Sequence, residues 1–454
     1  MDLLVIGGGL AGCEAALAAA NNNMRVGLWE MKPQTLTPAA SQPWLAELVC
    51  SNSLRSSQPS SAVGMLKQEM SLLGSQVIKS ALKHQVAAGQ ALAVDRQAFA
   101  QHLDDMVSNH HNIQRECRVV HSLDELPEKV LCILATGPLT HSDLAESLAG
   151  LSGQHLHFYD AIAPIVVADS VEMDLAFWGD RYGEPEQGDY LNCPMNREEW
   201  EAFYNALMSA PKVALHDFEE AKYFEGCLPL EVMADRGPQT LLFGPMKPVG
   251  FTDPRSGRRP YALLQLRKED AHGQLFNMVG CQTKLTHNAQ LQVFRLIPAL
   301  RQAQFSRLGS IHRNTFIDAP ATLGADLRLL ARPNIMVAGQ LAGVEGYVES
   351  AACGLWAGWN AIRFHNNLPA LSFPATTAFG GLAAHLANKT TINFQPSNIT
   401  WGLLPPLGPP PPPARKWPKK EKHLTLARRA LHDFTSWMRE QGLQPAEPLN
   451  PSGF

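Results

Sequence analysis

The first thirty residues alternate between apolar runs and a glycine-rich turn. Residues 3–6 form a short continuous apolar run, as a strand buried on both faces requires. The turn at residues 7–12 holds four glycines, and the alanine-rich segment behind it predicts a helix over about residues 13–20. Residues 25–29 predict a second strand that ends at Glu30. The order predicts a parallel βαβ unit with a right-handed crossover.

The buried-strand pattern returns twice further along the chain. Residues 130–134 are all apolar and run into Ala135-Thr136-Gly137, and residues 334–338 run into a second glycine-containing turn at Gly339. A helix with many small residues is predicted over about residues 348–363. Residues 66 to about 110 have a helical pattern that is interrupted near Gly89. These elements predict an α/β fold with a parallel sheet.

Between these strands the chain changes character. Residues 151–319 carry short apolar runs, many prolines and glycines and several aromatics, which predicts an inserted α+β domain. The first domain would then be discontinuous, over residues 1–150 and 320–372. Residues 373–454 would form a C-terminal segment with a proline-rich polyproline II spacer at 405–413, a basic tail and an amphipathic helix over about residues 424–439.

Composition narrows the class of protein. The formal net charge is -4 over 454 residues, so any contact with nucleic acid must come from local basic patches. The eight cysteines include no CxxC pair, which argues against a disulfide scaffold or a zinc site and suits a reducing cytoplasm. Neither a signal peptide nor a membrane span is predicted. We therefore expect a cytoplasmic protein with no metal and no membrane contact.

The glycine turn has the spacing of a dinucleotide-binding fingerprint. Gly7 would permit the tight turn, Gly9 would let a pyrophosphate approach the backbone, and Gly12 would let helix and strand pack closely. The neighbouring Gly8, Leu10 and Ala11 would complete the phosphate-binding loop at the helix N-terminus.

Glu30 stands eighteen residues after Gly12, at the end of the second predicted strand, where a carboxylate can bind the adenosine ribose. FAD and NAD share this fingerprint. The strand that closes in residues 135–137 and the later turn at Gly339-Gln340 favour FAD. We therefore predict a Rossmann-type, two-part glutathione-reductase-like FAD domain.

Several longer stretches point to one family. They are residues 7–12, 46–55, 223–229, 242–250 and 339–350. Together they resemble the folate- and FAD-dependent tRNA (uracil-5-)-methyltransferase family of bacteria, from residue 1 to about residue 407. The resemblance implies methylation of the T-loop uridine at position 54 of tRNA to ribothymidine. It also implies methylenetetrahydrofolate as carbon donor and NADH or NADPH as reductant, with no obligatory protein partner.

The chemistry of uracil directs attention to two cysteines. Uridine C5 becomes nucleophilic after a group adds at C6, and a thiolate suits that addition. A base must then remove the C5 proton. In the family, cysteines matching Cys50 and Cys227 are regarded as catalytic. We favour Cys50 as nucleophile, in a segment where a helix start after residue 50 and Arg55 would activate it, but the order of the two thiols stays open.

Gly346 and Tyr347 would begin the last Rossmann helix beside the flavin, where Tyr347 is a candidate for stacking on the pterin or a base. Basic clusters at residues 255–259, 295–313 and 415–429 are candidate phosphate contacts. Three other functions stay open: an FAD-dependent oxidoreductase that never meets RNA, a flavoprotein relative that modifies the wobble uridine, and a non-catalytic FAD-bearing protein that binds tRNA as a scaffold for its folding. Cys13, Cys132 and Cys353 are expected in the core.

Overall fold

The computed structural model describes residues 1–152, 156–181, 188–213, 223, 228–391, 393–411 and 416–449. The strands are β1 Leu3–Ile6, β2 Val26–Glu30, β3 Ser53–Ser56, β4 Gln85–Val86, β5 Ala91–Val94, β6 Ile113–Cys117, β7 Leu131–Leu134, β8 Leu156–Ala161, β9 Ile165–Val167, β10 Phe177–Trp178, β11 Tyr190–Met195, β12 Ala262–Lys268, β13 Leu275–Met278, β14 Phe305–Arg307, β15 Ile311–Phe316 and β16 Ile335–Val337. The helices are α1 Leu10–Asn21, α2 Ala62–Leu72, α3 Gln76–Lys83, α4 Arg96–Ser108, α5 Ser142–Ser152, α6 Arg197–Ser209, α7 Leu230–Asp235, α8 Pro238–Phe243, α9 His287–Phe294, α10 Ala319–Thr322, α11 Tyr347–His365, α12 Ala378–Ala387 and α13 Lys419–Glu440.

A five-stranded parallel sheet forms the centre of the fold. Its order is β16-β7-β1-β2-β6, so β1 lies between β2 and β7. The four residues of β1 are buried on both faces, which explains their continuous apolar run. The α/β Rossmann-type fold class is confirmed. The edge strand β6 was not predicted, because its sequence IQREC is half exposed and has no apolar run.

Helices α1 and α11 cross on this sheet at close range. A Cβ atom at Gly354 would overlap the backbone of Ala11, and one at Gly358 would lie 2.9 Å from the carbonyl oxygen of Ala15. The small residues expected in this helix are therefore what allows the two backbones to touch. The predicted helix over 348–363 is correct within two residues at each end.

The helical prediction for residues 66–110 was partly wrong. Helices α2, α3 and α4 form, but residues 85–94 make a hairpin of β4 and β5 that joins β3 in a three-stranded sheet. Gly89, where the interruption was placed, has a φ of +57° in the hairpin turn. Strands of two and four residues are too short to show a period of their own.

A second sheet has its own hydrophobic core. It is antiparallel, with the order β10-β11-β12-β13-β9-β14, and α6 and α9 pack into the same core through Phe203 and Phe294. The pair β8 and β15 connects this region to the parallel sheet. The helices and antiparallel strands agree with an α+β insertion, while the domain boundaries stay a prediction.

The C-terminal helix is packed and not a free tail. Phe434 of α13 stacks with Phe373 and Phe379, and Trp437 packs at a tilt against Phe373; both residues of α13 are buried. Predicted to begin at about residue 424, α13 begins at Lys419. Residues 405–411 have no helix or strand, and the last two prolines of the run, at residues 412–413, lie outside the described residues.

Two buried glutamates serve as acceptors for the starts of helices. Glu14 accepts the backbone N–H groups of Gln76 and Val77 at α3, at 2.9 and 2.7 Å. Glu69 accepts those of Ala378 and Phe379 at α12, at 2.8 and 2.9 Å. Burial raises the pKa of Glu14 to about 7 and that of Glu69 to about 8. Within the described residues, the helices that are long enough to span a bilayer are too polar to do so.

Candidate active site

A cavity opens above the carboxyl ends of β1, β7 and β16. Its volume is about 170 Å³. It is lined by most of the residues that the sequence assigned to a cofactor, namely Gly7, Gly8, Gly9, Leu10, Ala11, Glu30, Gly339, Gln340 and Tyr347, together with Thr136, Gly137 and Val49. The carboxyl ends of parallel strands are where ligands bind in open α/β sheets.

Three glycines of the first turn are each required, or favoured, for a different local reason. Gly7 has a φ of +98°, and a Cβ there would collide with the backbone of Ala135. A Cβ at Gly12 would overlap the carbonyl oxygen of Gly7, so α1 can start this close to β1 only at a glycine. Gly9 faces open space, with nothing within 4 Å of an added Cβ. An open glycine turn at the start of a helix is the geometry that phosphate-binding loops use.

Glu30 is held at the same turn. Its carboxylate accepts the backbone N–H of Gly8 and, at 2.9 Å, that of Lys32, and the residue is only 8% exposed. The last residue of β2 is thereby fixed against the glycine turn. Its contact with an adenosine ribose stays a prediction.

The second glycine turn shapes the other wall. Gly339 has a φ of +77°, and a Cβ there would lie 2.9 Å from the Cβ of Ala11. Gln340 donates from Nε2 to Glu345 at 2.6 Å. Gly346, with a φ of +103°, caps the start of α11 and, like Gly12, does not line the cavity.

Cys50 does not line this cavity itself, but it lies at its edge, between the lining residue Val49 in sequence and the lining residue Tyr347 in space. The Tyr347 hydroxyl accepts the backbone N–H of Cys50 at 2.6 Å and that of Ser51 at 3.1 Å. Val49 and Tyr347 both line the cavity. Cys50 is half-buried, and its Sγ lies 3.8 Å from the carbonyl oxygen of Ala161. Two segments 297 residues apart in sequence are thus joined at the point where the sequence placed a thiol and an aromatic ring.

The Cys50 segment is anchored by residues that sequence reasoning missed. Asn52 is fully buried and donates to the carbonyls of Val94 and Lys268, at 2.8 and 2.9 Å. Arg267 donates to the Asn52 amide oxygen at 2.9 Å and to the Ser51 hydroxyl at 2.8 Å. Because β5 and β12 belong to different sheets, both parts of the molecule fix this segment.

The expected helix start after Cys50 was wrong. Residue 53 begins strand β3, because the segment pairs with β5. Arg55 turns away to an ion pair with the buried carboxylate of Glu349. Cys227, the other predicted catalytic thiol, lies outside the described residues, and its role stays a prediction.

Comparison with known proteins shows which family has this sequence and fold. The family model described as glucose inhibited division protein A matches residues 2–369. A relative from Nitratidesulfovibrio vulgaris (strain DP4), named methylenetetrahydrofolate–tRNA-(uracil-5-)-methyltransferase TrmFO, is 51% identical over 99% of this chain and 92% of its own. Relatives of the same name from Geotalea daltonii and Desulfotalea psychrophila are 51% and 53% identical, over 95% and 89% of this chain and 97% and 90% of their own.

The chain belongs to the TrmFO family. Among solved structures, Aquifex aeolicus GidA covers 96% of this chain and 73% of its own with a TM-score of 0.68 and 14% identity, which shows a shared fold alone. The resemblance inferred from the five sequence stretches is confirmed.

A buried acid lies two residues before Tyr347 in the chain. Glu345 is 6% exposed. Burial, followed by the charges of Asp160, Glu349 and Cys50, raises its pKa well above its ordinary value. Its only side-chain hydrogen bond described here is the one from Gln340. The shift favours the neutral form of this acid, and a neutral acid does not repel negative charge that develops at Cys50.

A second buried group supports the start of α11. Glu349 is fully buried and accepts from Arg55 and from the backbone N–H of Ile399. Lys67 is also fully buried and donates to the carbonyl of Ser56 at 2.9 Å. Burial, then the charge of Arg55, lowers the pKa of Lys67 to about 7, and Glu349 opposes that shift. The three charges tie β3 and α2 to the helix that carries Tyr347.

The basic clusters differ in how many of their side chains are already bound within the protein. Arg255 is bound to Asp253 at 2.9 Å, while Arg258 and Arg259 are exposed. Arg295 donates to the carbonyl of Ala303 and so has a structural role. In the described part of the basic tail, Arg429 is bound to the carbonyls of Pro405 and Pro406. The exposed cations there are Lys416, Lys419, Lys420, Lys422 and Arg428.

Proposed function

We propose that this protein catalyses the folate-dependent, FAD-mediated C5-methylation of the T-loop uridine at position 54 of tRNA, giving ribothymidine. The observation that carries the proposal is the fixed position of Cys50 on the Tyr347 hydroxyl, at the edge of the glycine-turn cavity. The relatives' shared name, which states the donor, the tRNA substrate and C5 of uracil, supports it.

The thiols would do the covalent work on the uracil. A thiolate adds to C6, and the electron pair of the C5–C6 bond becomes an enolate that attacks the donor's methylene carbon from C5. A base then takes the C5 proton as the bond between the methylene carbon and the folate nitrogen breaks, which releases tetrahydrofolate and leaves an exocyclic methylene on C5. Once that methylene has gained two electrons and a proton, the C6–S bond breaks and frees the thiolate. We assign these two roles to Cys50 and Cys227 without fixing their order. FAD, reduced by NADH or NADPH, supplies when bound the two electrons that convert methylene to methyl.

The residues around the cavity would hold the cofactor and exclude water. We assign the phosphate cradle to Gly7, Gly8, Gly9, Leu10 and Ala11, with Gly12 permitting the turn. The ribose contact is assigned to Glu30, and the flavin side to Gly339, Gln340, Gly346 and Tyr347. The open space at Gly9 supports this fit. A cytoplasmic location, with tRNA and folate as the partners, is part of the same proposal.

The test is nucleoside mass analysis. Purified flavin-loaded protein is incubated without oxygen with methylenetetrahydrofolate, NADPH and an unmodified tRNA transcript. We expect 5-methyluridine to accumulate, and none to form with a transcript carrying cytidine at position 54. Consumption of NADPH with no modified uridine would overturn the proposal in favour of an oxidoreductase of small molecules. A modified uridine at the wobble position instead would favour the other alternative.

A further inference from the structure

Two histidines and an aspartate meet on the surface at the start of α5. Among the described residues, His121, His141 and Asp143 form the one group of three potential metal ligands whose binding atoms all lie within 4.8 Å of one another. His121 stands just before a 3₁₀ turn at Leu123–Glu125, and Asp143 lies in the first turn of α5. The fold thus brings ligands from two separate segments together, and we call the three residues the His-His-Asp cluster.

Both histidine rings turn the same nitrogen towards one carboxylate oxygen. Nδ1 of His121 lies 2.8 Å from Oδ2 of Asp143, and Nδ1 of His141 lies 3.6 Å from the same oxygen. Ligand atoms bound tetrahedrally to Zn²⁺ at roughly 2.0–2.1 Å lie about 3.4 Å from one another. The two observed distances bracket that value, so small side-chain rotations would let all three groups reach one ion.

The protonation of His141 leaves a lone pair facing the carboxylate. Nδ1 of His141 accepts a long hydrogen bond, 3.4 Å, from the backbone N–H of Asp143, so this nitrogen carries no hydrogen. A carboxylate oxygen is also an acceptor, and at 3.6 Å the two acceptors face each other without a hydrogen between them. A cation placed between them would replace this unfavourable contact with two favourable ones.

Hydrogen bonds fix the backbone on both sides of the cluster. Glu125 accepts the N–H of His121 at 2.7 Å, and its carboxylate also belongs to the capping box of the 3₁₀ turn. The N–H of Leu123 donates to the hydroxyl of Ser147 at 3.2 Å, which ties this turn to α5. The carbonyl of His141 accepts the first backbone hydrogen bond of α5. Binding an ion would therefore order side chains alone, which keeps its entropic cost low.

We propose that the His-His-Asp cluster binds a divalent metal ion of the zinc class. Imidazole ligands suit zinc, whereas Mg²⁺ and Ca²⁺ prefer oxygen ligands alone. The ion would take the place of the hydrogen that Nδ1 of His121 donates to Asp143, and the ring would carry its hydrogen on Nε2. The side chains of His121 and Asp143 are 51% and 56% exposed, which leaves the fourth position open to water.

A surface ion pair is the competing explanation of the cluster. Such a pair needs His121 and Asp143 only, and it gives no reason for the second ring to face the same oxygen. The positive end of α5 opposes a cation by about 0.3–1 kcal/mol. That is less than the roughly 1.4 kcal/mol of a tenfold change in affinity, so it does not decide against binding. The argument from sequence against zinc concerned cysteine spacing and did not consider histidine ligands.

The test is Zn²⁺ binding to flavin-loaded protein, measured by isothermal titration calorimetry in excess Mg²⁺. The ligand variants are His121→Ala, His141→Ala and Asp143→Asn. The matched control is His111→Ala, because His111 is exposed and stacks on His110, outside the cluster. We expect each ligand variant to bind Zn²⁺ at least about 10-fold more weakly than wild type, since groups behind the ligands already contribute about 10- to 100-fold. Zn²⁺ should raise the melting temperature of wild type and control alone.

Two results would overturn the inference. One is wild-type affinity for Zn²⁺ in any of the three ligand variants, because each removes a ligand. The other is an equal loss of affinity in His111→Ala, which would show that surface histidines bind the ion without a defined site. The Asp143→Asn substitution keeps the shape of the side chain and decides the question if a histidine variant folds poorly. The titration contains neither tRNA nor folate, so its outcome is independent of the proposed function.

Discussion

The Tyr347→Phe substitution tests how Cys50 is positioned. The hydroxyl of Tyr347 accepts two backbone N–H groups, those of Cys50 and Ser51. Its removal leaves the phenyl ring in place and takes away the one oxygen that accepts both hydrogen bonds. Each such bond stabilises by about 0.5–1.5 kcal/mol, so the held conformation loses about 1–3 kcal/mol.

The lost stabilisation of the Cys50 conformation should lower the rate of methylation. If the conformation that holds Cys50 in place is destabilised by this 1–3 kcal/mol, kcat for 5-methyluridine formation falls about 5- to 150-fold. The assay is single-turnover nucleoside analysis at saturating donor and tRNA, with flavin content and melting temperature measured alongside. Tyr204→Phe is the matched control, because its hydroxyl donates to the carbonyl of Ala234 at 3.0 Å, away from the cavity. We expect that control to lose stability at most. A wild-type kcat in Tyr347→Phe would refute the claim that this hydroxyl positions the thiol.

Three further predictions concern the cofactor turn, the core and RNA. Gly12→Ala places a methyl group on the Gly7 carbonyl, so we expect loss of flavin absorbance, whereas a wild-type flavin content would contradict the packing argument. The native pKa of Glu69, about 8, lies above its unfolded value, so its contribution to stability is full at acid pH and lost as the pH rises through 8. The free energy of unfolding should therefore fall by up to about 1.4 kcal/mol per pH unit between pH 5 and 8, and the melting temperature should fall with it. The Glu69→Gln substitution should flatten this pH dependence, whereas an unchanged pH dependence would show that the native acid is ionised. The exposed lysines at the start of α13 are Lys419, Lys420 and Lys422. Neutralising them should weaken tRNA binding and flatten its salt dependence in a filter-binding titration. An unchanged salt dependence would show that these lysines do not contact tRNA phosphates.

The strands and turns that build the cofactor cavity could be predicted because parallel strands are buried on both faces. Residues 3–6 and 131–134 therefore show unbroken apolar runs, and the glycines that follow have steric reasons that local sequence reveals. The small strands β4 and β5 could not, since β4 owes its conformation to pairing with β5, and β5 to pairing with both β4 and β3, and not to a pattern of their own.

The site was predictable only in part, for a related reason. Cys50 and Tyr347 could each be named from the family resemblance, but their contact joins segments 297 residues apart. Asn52 and Arg267 carried no sequence signal, because each is defined by a partner in the other sheet. Arg307 looked like a surface cation until the fold placed it in a cavity.

The central claim is that Cys50, at the edge of the glycine-turn cavity, does chemistry on uridine. The most direct measurement compares 5-methyluridine formation by wild type, Cys50→Ala and Cys117→Ala at matched flavin content. Cys117 is also half-buried and has no assigned role. We predict product from wild type and Cys117→Ala, and at least a 100-fold slower reaction, on the order of the 10²–10⁴-fold contribution of a positioned catalytic group, from a Cys50→Ala protein that keeps its flavin. Methylation by Cys50→Ala at the wild-type rate would contradict the account.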